Sequence, residues 1–158
     1  MAEIGRILLV EDDMHDVELT LAALAEHRLA NEVVVVRDGA EALAYLRREG
    51  LFQMRAEGHP AVVLLDLKLP KVDGLQVLAQ IKADPRLQSI PVVMLTSSRE
   101  EPDLVRSYKL GVNAYVVKPI GFQEFVGAVR EVGLFWAVIN QPPPECLSHV
   151  QAVAVRER

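Results

Sequence analysis

The sequence predicts one α/β domain in which helices cover both faces of a parallel β-sheet. Five short runs rich in Val, Ile and Leu recur along the chain, and each is apolar at consecutive positions. Strands buried on both faces of a parallel sheet have this pattern. Segments of helical period lie between the runs. This alternation predicts a doubly wound fold with right-handed crossovers.

The predicted elements alternate in chain order. The strands are Ile7–Val10, Val33–Val36, Ala61–Leu65, Ile90–Leu95 and Ala114–Val117. The helices are Asp16–Arg28, Ala40–Arg48, Leu75–Ala83, Asp103–Leu110 and Gln123 to about Trp136. In the first helix, Val17, Leu21 and Leu24 keep the spacing of one apolar face. Asp-Gly turns at Asp38 and Asp73 precede the second and third helices.

Length and composition agree with a single soluble domain. The chain has 158 residues, of which 51% are hydrophobic and 25% charged, the balance of a globular protein. The net charge of −5 gives no basic field for nucleic acid or anionic lipid, and no apolar run is long enough to span a membrane. The single Cys146 cannot form an internal disulfide, and nothing indicates an export signal. We therefore expect a cytoplasmic protein that binds neither nucleic acid nor membrane.

Polar and charged residues follow four of the predicted strands. They are Glu11, Asp12 and Asp13 after the first strand, Asp66 after the third, Thr96, Ser97 and Ser98 after the fourth, and Lys118 and Pro119 after the fifth. In a doubly wound sheet the ligand site lies beyond the carboxyl ends of the strands. These side chains should therefore converge.

This convergence predicts phosphoryl-transfer chemistry. Clustered carboxylates repel one another unless a cation lies among them, and oxygen ligands without His or Cys favour Mg²⁺. With Lys118 and Thr96 nearby, Asp66 is the natural nucleophile for an acyl phosphate. Taken singly, the acidic residues can be helix caps, Asp13 and Asp16 above all. For Glu11 and Asp12, a shared site is favoured over separate helix caps, because Asp66 and Lys118 follow strands at the same edge of the sheet.

Four motifs at the strand ends carry a family resemblance: LLVEDD, LLDLKLPKVDG, VVMLTSS and YVVKP. From about Arg6 to Trp136, the chain resembles the receiver domain of two-component response regulators. The resemblance implies a flavodoxin-like fold of five strands in the order 2-1-3-4-5, and phosphorylation of Asp66 by a histidine kinase. Self-catalysed phosphotransfer and autodephosphorylation would then be its only chemistry.

The resemblance also implies roles for individual residues. Glu11 and Asp12 would hold Mg²⁺ together with Asp66 and the backbone carbonyl of Lys68. Thr96 and Lys118 would contact the phosphoryl group, and Tyr115 would be the aromatic switch that turns inward when Thr96 moves. Lys68 departs from the polar residue expected at its position. Its ammonium can reach the phosphoryl group or hinder a hydrolytic water.

Softer signals resemble stand-alone regulators that partner phytochrome-type, light-sensing histidine kinases. They are the stretches RDGAEALAYLRREG and SYKLGVNAYVVKP and the pair Phe135-Trp136. We expect residues 1–139 to form the receiver domain and residues 140–158 a C-terminal tail, with no effector domain. Output would then run through protein partners.

The end of the fifth helix predicts a homodimer through the fourth helix, fifth strand and fifth helix. One face of this helix should cover the sheet: Phe122, Phe125, Val126, Val129 and Trp136. Leu134, Phe135 and Val138 point elsewhere, and exposed they would form an interface. Alternatively, the tail from Cys146 to Val155 folds back over them.

Three other functions compete with a phosphorylated receiver. A flavin carrier needs a phosphate cradle after the first strand, where three acidic residues stand instead. A phosphatase with an aspartate nucleophile needs a general acid at the position of Lys68. The third alternative is a receiver-like interaction module that works without phosphorylation.

Overall fold

The computed structural model describes residues 5–25, 29 and 33–146. Its centre is a parallel sheet of five strands in the order β2-β1-β3-β4-β5. The strands are β1 (Ile7–Val10), β2 (Val33–Val36), β3 (Val62–Leu65), β4 (Val92–Thr96) and β5 (Ala114–Val117). The predicted fold class and strand order are confirmed, with Asp66 directly after the central strand.

Burial explains why the strands read as unbroken aliphatic runs. Every residue of β1, β3 and β4 is buried, because helices cover both faces of these central strands. The edge strands β2 and β5 are mostly half-buried. Leu8 pairs with Val34 on one side and Val63 on the other, which sets the register.

Five helices surround the sheet: α1 (Met14–Ala25), α2 (Gly39–Arg47), α3 (Gly74–Ala83), α4 (Glu101–Lys109) and α5 (Phe122–Leu134). A π-helical turn, Phe135–Ile139, extends α5, and 3-10 turns cover Gly50–Phe52 and Pro144–Cys146. Helix α1 begins two residues before the predicted Asp16, and its predicted end at Arg28 lies outside the described residues. No helix of the described chain is long and apolar enough to cross a membrane.

The helices that follow the Asp-Gly turns are capped. The carboxylate of Asp38 accepts a hydrogen bond from the backbone N–H of Glu41 at 2.8 Å, and Asp73 forms a capping box with Gln76. Caps of this kind contribute about 1 kcal/mol each. At Gly74 a side chain would collide with the carbonyl of Asp66. Glycine thus lets α3 start directly against the loop that carries Asp66.

The two faces of the sheet form separate cores. One packs Leu8, Val63 and Met94 with residues of α2 and α3, and the other packs Leu9 and Val129 with residues of α1 and α5.

The chain beyond α5 touches both cores. Ala137 lies in the core shared with α5, whereas the side chain of Cys146 is buried in the opposite one. The segment between them therefore passes from one face of the sheet to the other. Within the expected tail of residues 140–158, Cys146 is therefore part of a core, whereas residues 147–158 lie outside the described residues.

A correction concerns Phe122, which was expected to help cover the sheet. Its side chain is 62% exposed, whereas Phe125 and Val129 are buried as expected. Phe122 is the first residue of α5. It therefore lies beyond the carboxyl edge of the strands, where no sheet remains to be covered.

Candidate phosphoacceptor and metal site

Four residues meet at the carboxyl edge of the sheet, as the sequence predicts. Glu11, Asp66 and Lys118 each follow a strand directly, and Thr96 is the last residue of β4. Backbone hydrogen bonds continue the sheet past the strand ends: Asp66 N–H donates to Val10 at 3.2 Å and Lys118 N–H to Thr96 at 2.7 Å. The functional side chains therefore start from fixed backbone.

Lys118 is the centre of the site. Its Nζ donates to Glu11 Oε1, which is the nearest acceptor, to Asp16 Oδ2 at 2.9 Å and to Asp66 Oδ2 at 3.3 Å. Only 9% of the lysine side chain is exposed. An ammonium has three N–H donors, and here each has a carboxylate.

Glu11, Asp12 and Asp66 form a group that can bind a divalent metal. One carboxylate oxygen from each lies within 4.8 Å of the others. Glu11 is buried, Asp66 half-buried and Asp12 exposed, so the group opens to solvent on one side. Oxygen-only donors of this number suit a hard divalent cation that keeps part of its water shell.

The charge balance of the site also fits a second cation. Burial raises the pKa of Glu11 to about 8, against the lowering effect of its hydrogen bond to Lys118. Burial alone would lower the pKa of Lys118, but the bond to Glu11 and the charge of Asp66 outweigh it and raise that pKa. One ammonium does not neutralise this many carboxylates, and the excess negative charge favours either a proton or a metal ion.

Thr96 and Tyr115 are linked through the loop between β4 and α4. The buried Thr96 Oγ1 accepts a hydrogen bond from Ser98 N–H at 3.2 Å, and the Tyr115 hydroxyl donates to the Ser98 carbonyl at 3.1 Å. Ser98 Oγ donates to Asp103 Oδ2 at 2.6 Å, which ties the loop to the first turn of α4. Partial burial raises the pKa of Tyr115.

The remaining predicted residues lie apart from this centre or at its margin. Lys68 is exposed, and its backbone N–H is 3.5 Å from Asp66 Oδ1. Leu134, Phe135 and Val138 lie at the opposite edge of the sheet, since the neighbouring Ala137 carbonyl accepts from Gly5, just before β1. Phe135 is 45% exposed, and the other two are half-buried.

Asp16 is the site residue that sequence reasoning missed. We interpreted it as a helix cap, but the cap is Asp13, whose Oδ1 accepts from Asp16 N–H at 3.1 Å. The carboxylate of Asp16 contacts Lys118 instead. A carboxylate in the first turn of a helix is common for electrostatic reasons alone, so the sequence offered no distinguishing signal.

A doubly wound sheet with an isolated Asp after its central strand, an acidic group beside it and a buried Lys opposite defines an aspartate phosphoacceptor domain. A family model for the response regulator receiver domain matches residues 7–130. The chain belongs to this family.

Several relatives are response regulators, and two of them are named for a phytochrome or a bacteriophytochrome. Response regulator Rcp1 of Synechocystis sp. is 41% identical over 130 residues, which cover 82% of this chain and 87% of Rcp1. The structure of the phosphorylated cyanobacterial phytochrome response regulator RcpA is 44% identical, with a TM-score of 0.83 over 89% of this chain and 99% of that one. The bacteriophytochrome response regulator RtBRR is 60% identical, with a TM-score of 0.70 over 98% and 92% of the two chains.

One of these relatives also has a structure with a metal. The Mn²⁺-bound form of Rcp1 is 39% identical to this chain, with a TM-score of 0.82 over 88% of this chain and 99% of that one. This agrees with a divalent-metal site at Glu11, Asp12 and Asp66 here.

Proposed function

We propose that the chain is a response regulator that accepts a phosphoryl group on Asp66 from a histidine kinase. The observation that carries this proposal is the position of Asp66, at the end of the central strand and 3.3 Å from the Lys118 ammonium. Asp66 also belongs to the group of three carboxylates that can bind a metal. Nucleophile, fixed cation and metal ligands are thus within reach of one transferred group.

In the proposed step, a carboxylate oxygen of Asp66 attacks the phosphorus of a phosphohistidine. The new O–P bond forms as the N–P bond breaks, and the leaving imidazole nitrogen keeps the bonding pair and takes a proton from solvent. Asp66 becomes an acyl phosphate. Phosphoryl transfer depends on positioning and on neutralising the phosphoryl oxygens, so the chain supplies little more than an aligned nucleophile and donors.

The surrounding residues have separate roles in this proposal. Lys118 donates to one phosphoryl oxygen, and Thr96 donates its hydroxyl to another. Glu11, Asp12, Asp66 and the carbonyl of Lys68 would hold Mg²⁺, which supplies charge neutralisation on the phosphoryl oxygens when bound. The same groups then position a water for autodephosphorylation.

Thr96 and Tyr115 would form the switch that reports phosphorylation. Thr96 moving toward the phosphoryl group would break its bond to Ser98, to which Tyr115 is also bonded. The loop before α4 would then change position. Output would run through protein partners that recognise this change.

A phytochrome-type kinase is the proposed phosphodonor. Support comes from relatives named as phytochrome and bacteriophytochrome response regulators, which match this chain over most of its length. We also propose a homodimer through α4, β5 and α5, supported by the exposed Phe135 and Ile139 at the end of α5 and by Val105 and Tyr108 on α4. The cytoplasmic location stays a prediction.

Labelling with acetyl phosphate tests the phosphoacceptor. Asp66 attacks phosphorus and acetate leaves with the bonding pair, so no kinase is needed. With Mg²⁺ the wild type should become labelled and Asp66→Asn should not. Equal labelling of both would overturn the assignment, and labelling of neither would favour the interaction module without phosphorylation. Phosphotransfer profiling against a panel of histidine kinases then tests the donor.

A further inference from the structure

Asp16 contacts the ammonium of Lys118 but is not a member of the group that can bind a metal. Its Oδ2 lies 2.9 Å from Lys118 Nζ, compared with 3.3 Å for Asp66. The two residues are 102 positions apart in sequence, and 28% of the Asp16 side chain is exposed. A contact this short between a nearly buried lysine and a partly exposed aspartate is a specific pairing of α1 with the end of β5.

The three carboxylates that accept hydrogen bonds from Lys118 differ in their other roles. Glu11 and Asp66 both belong to the group that can bind a metal, so their oxygens serve two cations. Glu11 Oε2 in addition accepts the backbone N–H of Asp12 at 3.1 Å. Asp16 is outside the metal group. Among the described residues, it is the carboxylate on Lys118 that neither binds metal nor accepts the phosphoryl group.

We propose that Asp16 is a positioning residue for phosphotransfer, which anchors Lys118 so that its ammonium stays directed at the phosphoryl group on Asp66. This role rests on the proposed function of Asp66. When Asp66 is converted to an acyl phosphate, its bond to Lys118 must be exchanged for one to a phosphoryl oxygen. The Asp16 contact survives that exchange, because it takes no part in the bond changes.

The anchor limits how far the lysine can move. A lysine side chain is long and flexible, so an ammonium that loses one of its fixed partners is less well aligned. Charge-assisted hydrogen bonds are short and directional, and small losses of alignment are costly when catalysis consists of positioning. We therefore expect Asp16 to affect the rate of transfer more than the stability of the fold.

The test compares Asp16→Asn, Asp16→Glu and the control Glu18→Gln, which removes one negative charge from an exposed position of the same helix. Labelling by acetyl phosphate is followed at saturating Mg²⁺. Asp16→Asn should lower the maximal rate about tenfold with little change in half-saturating acetyl phosphate, because the lost alignment matters in the transition state. Asp16→Glu should recover much of the rate, and Glu18→Gln should stay near wild type.

Two further measurements separate anchoring from a general effect. In a Lys118→Met background, Asp16→Asn should cause no additional loss, since its effect passes through the lysine. In the unphosphorylated protein, the ¹⁵N signal of the Lys118 ammonium should be protected from proton exchange, and Asp16→Asn should broaden or remove it. Neither result is expected if Asp16 only stabilises α1.

The outcomes are distinct. An Asp16→Asn rate equal to that of Glu18→Gln, or an undiminished loss in the Lys118→Met background, would overturn the positioning role while leaving phosphorylation of Asp66 intact. A wild-type chain that takes up no phosphoryl group would overturn the proposed function, and the role of Asp16 with it.

Discussion

Asp66 Oδ2 and Lys118 Nζ are 3.3 Å apart, although 52 residues separate them in the chain. The contact exists because β3 and β5 are parallel to each other with only β4 between them, and both residues follow their strands directly. A parallel sheet thus places residues from distant sequence positions at one edge.

Asp12→Ala should weaken Mg²⁺ binding and slow labelling by acetyl phosphate, because it removes one of three carboxylates that fit the cation. In the absence of metal the variant should be more stable than wild type, since repulsion within the acidic group falls. Mg²⁺ titration and thermal melting in EDTA measure the two effects. Glu18→Gln controls for the change in net charge, and a Mg²⁺ titration of Asp12→Ala that matches wild type would refute the assignment.

Metal-free stability should depend on pH through Glu11. Burial raises its pKa to about 8 in the folded chain, above the ordinary value of 4.5. The folded state therefore keeps a proton that the unfolded state has released, and stability falls as pH rises between these values. In EDTA, the melting temperature of wild type should drop more than that of Glu11→Gln from pH 5 to pH 8.5, by about a few degrees.

A saturating divalent cation should remove much of this dependence, because the metal replaces the proton as the counter-charge. Melting curves of wild type and Glu11→Gln that move in parallel with pH, in EDTA, would contradict the prediction.

The positions of the strands and of most site residues could be predicted because they obey general rules. Consecutive aliphatic residues mark strands buried on both faces, and the carboxyl ends of parallel strands collect the chemistry. Glu11, Asp66, Thr96 and Lys118 were found in this way. Asp16 was not, because its contact with Lys118 depends on where the first turn of α1 lies relative to the end of β5. Local sequence does not encode that placement.

Two other features, the exposure of Phe122 and the burial of Cys146, could not be predicted from the sequence. The helical spacing puts Phe122 on the same side of α5 as Phe125 and Val129. It does not show where along the helix the strands end, and Phe122 lies beyond that point. Cys146 follows a stretch with several prolines, which predicts a break in the helix but not the direction the chain takes afterwards. Its burial in the core opposite α5 became visible only in three dimensions.

Lys68→Asn should shorten the lifetime of the phosphorylated form several-fold. Lys68 is exposed two residues after Asp66, where its side chain can exclude a hydrolytic water and so slow hydrolysis. Loss of label after removal of acetyl phosphate measures the lifetime. Lys71→Asn is the matched control, because Lys71 lies in the same loop with a φ of 65° that Asn tolerates. Equal lifetimes in the two variants would remove Lys68 from the mechanism.

The homodimer should be lost in Phe135→Asp while labelling of Asp66 is nearly unchanged. Phe135 is 45% exposed and Ile139 64% exposed at the end of α5, and large apolar groups that face water together favour association. The alternative cover, the tail from Cys146 to Val155, is partly excluded, because Cys146 packs into the core on the other face of the sheet. Residues 147–155 lie outside the described residues.

Light scattering at tens of micromolar, with and without phosphorylation, measures the association. Leu51→Asp is the control, because Leu51 is 94% exposed on the connection between α2 and β3, away from α5. Leu51→Asp should not change the mass measured for the dimer. A wild-type monomer under both conditions would rule the dimer out, and a dimer that survives Phe135→Asp would move the interface elsewhere. Because Phe135 and Asp66 lie at opposite edges of the sheet, reduced labelling in Phe135→Asp would reveal coupling between association and phosphorylation rather than damage to the site.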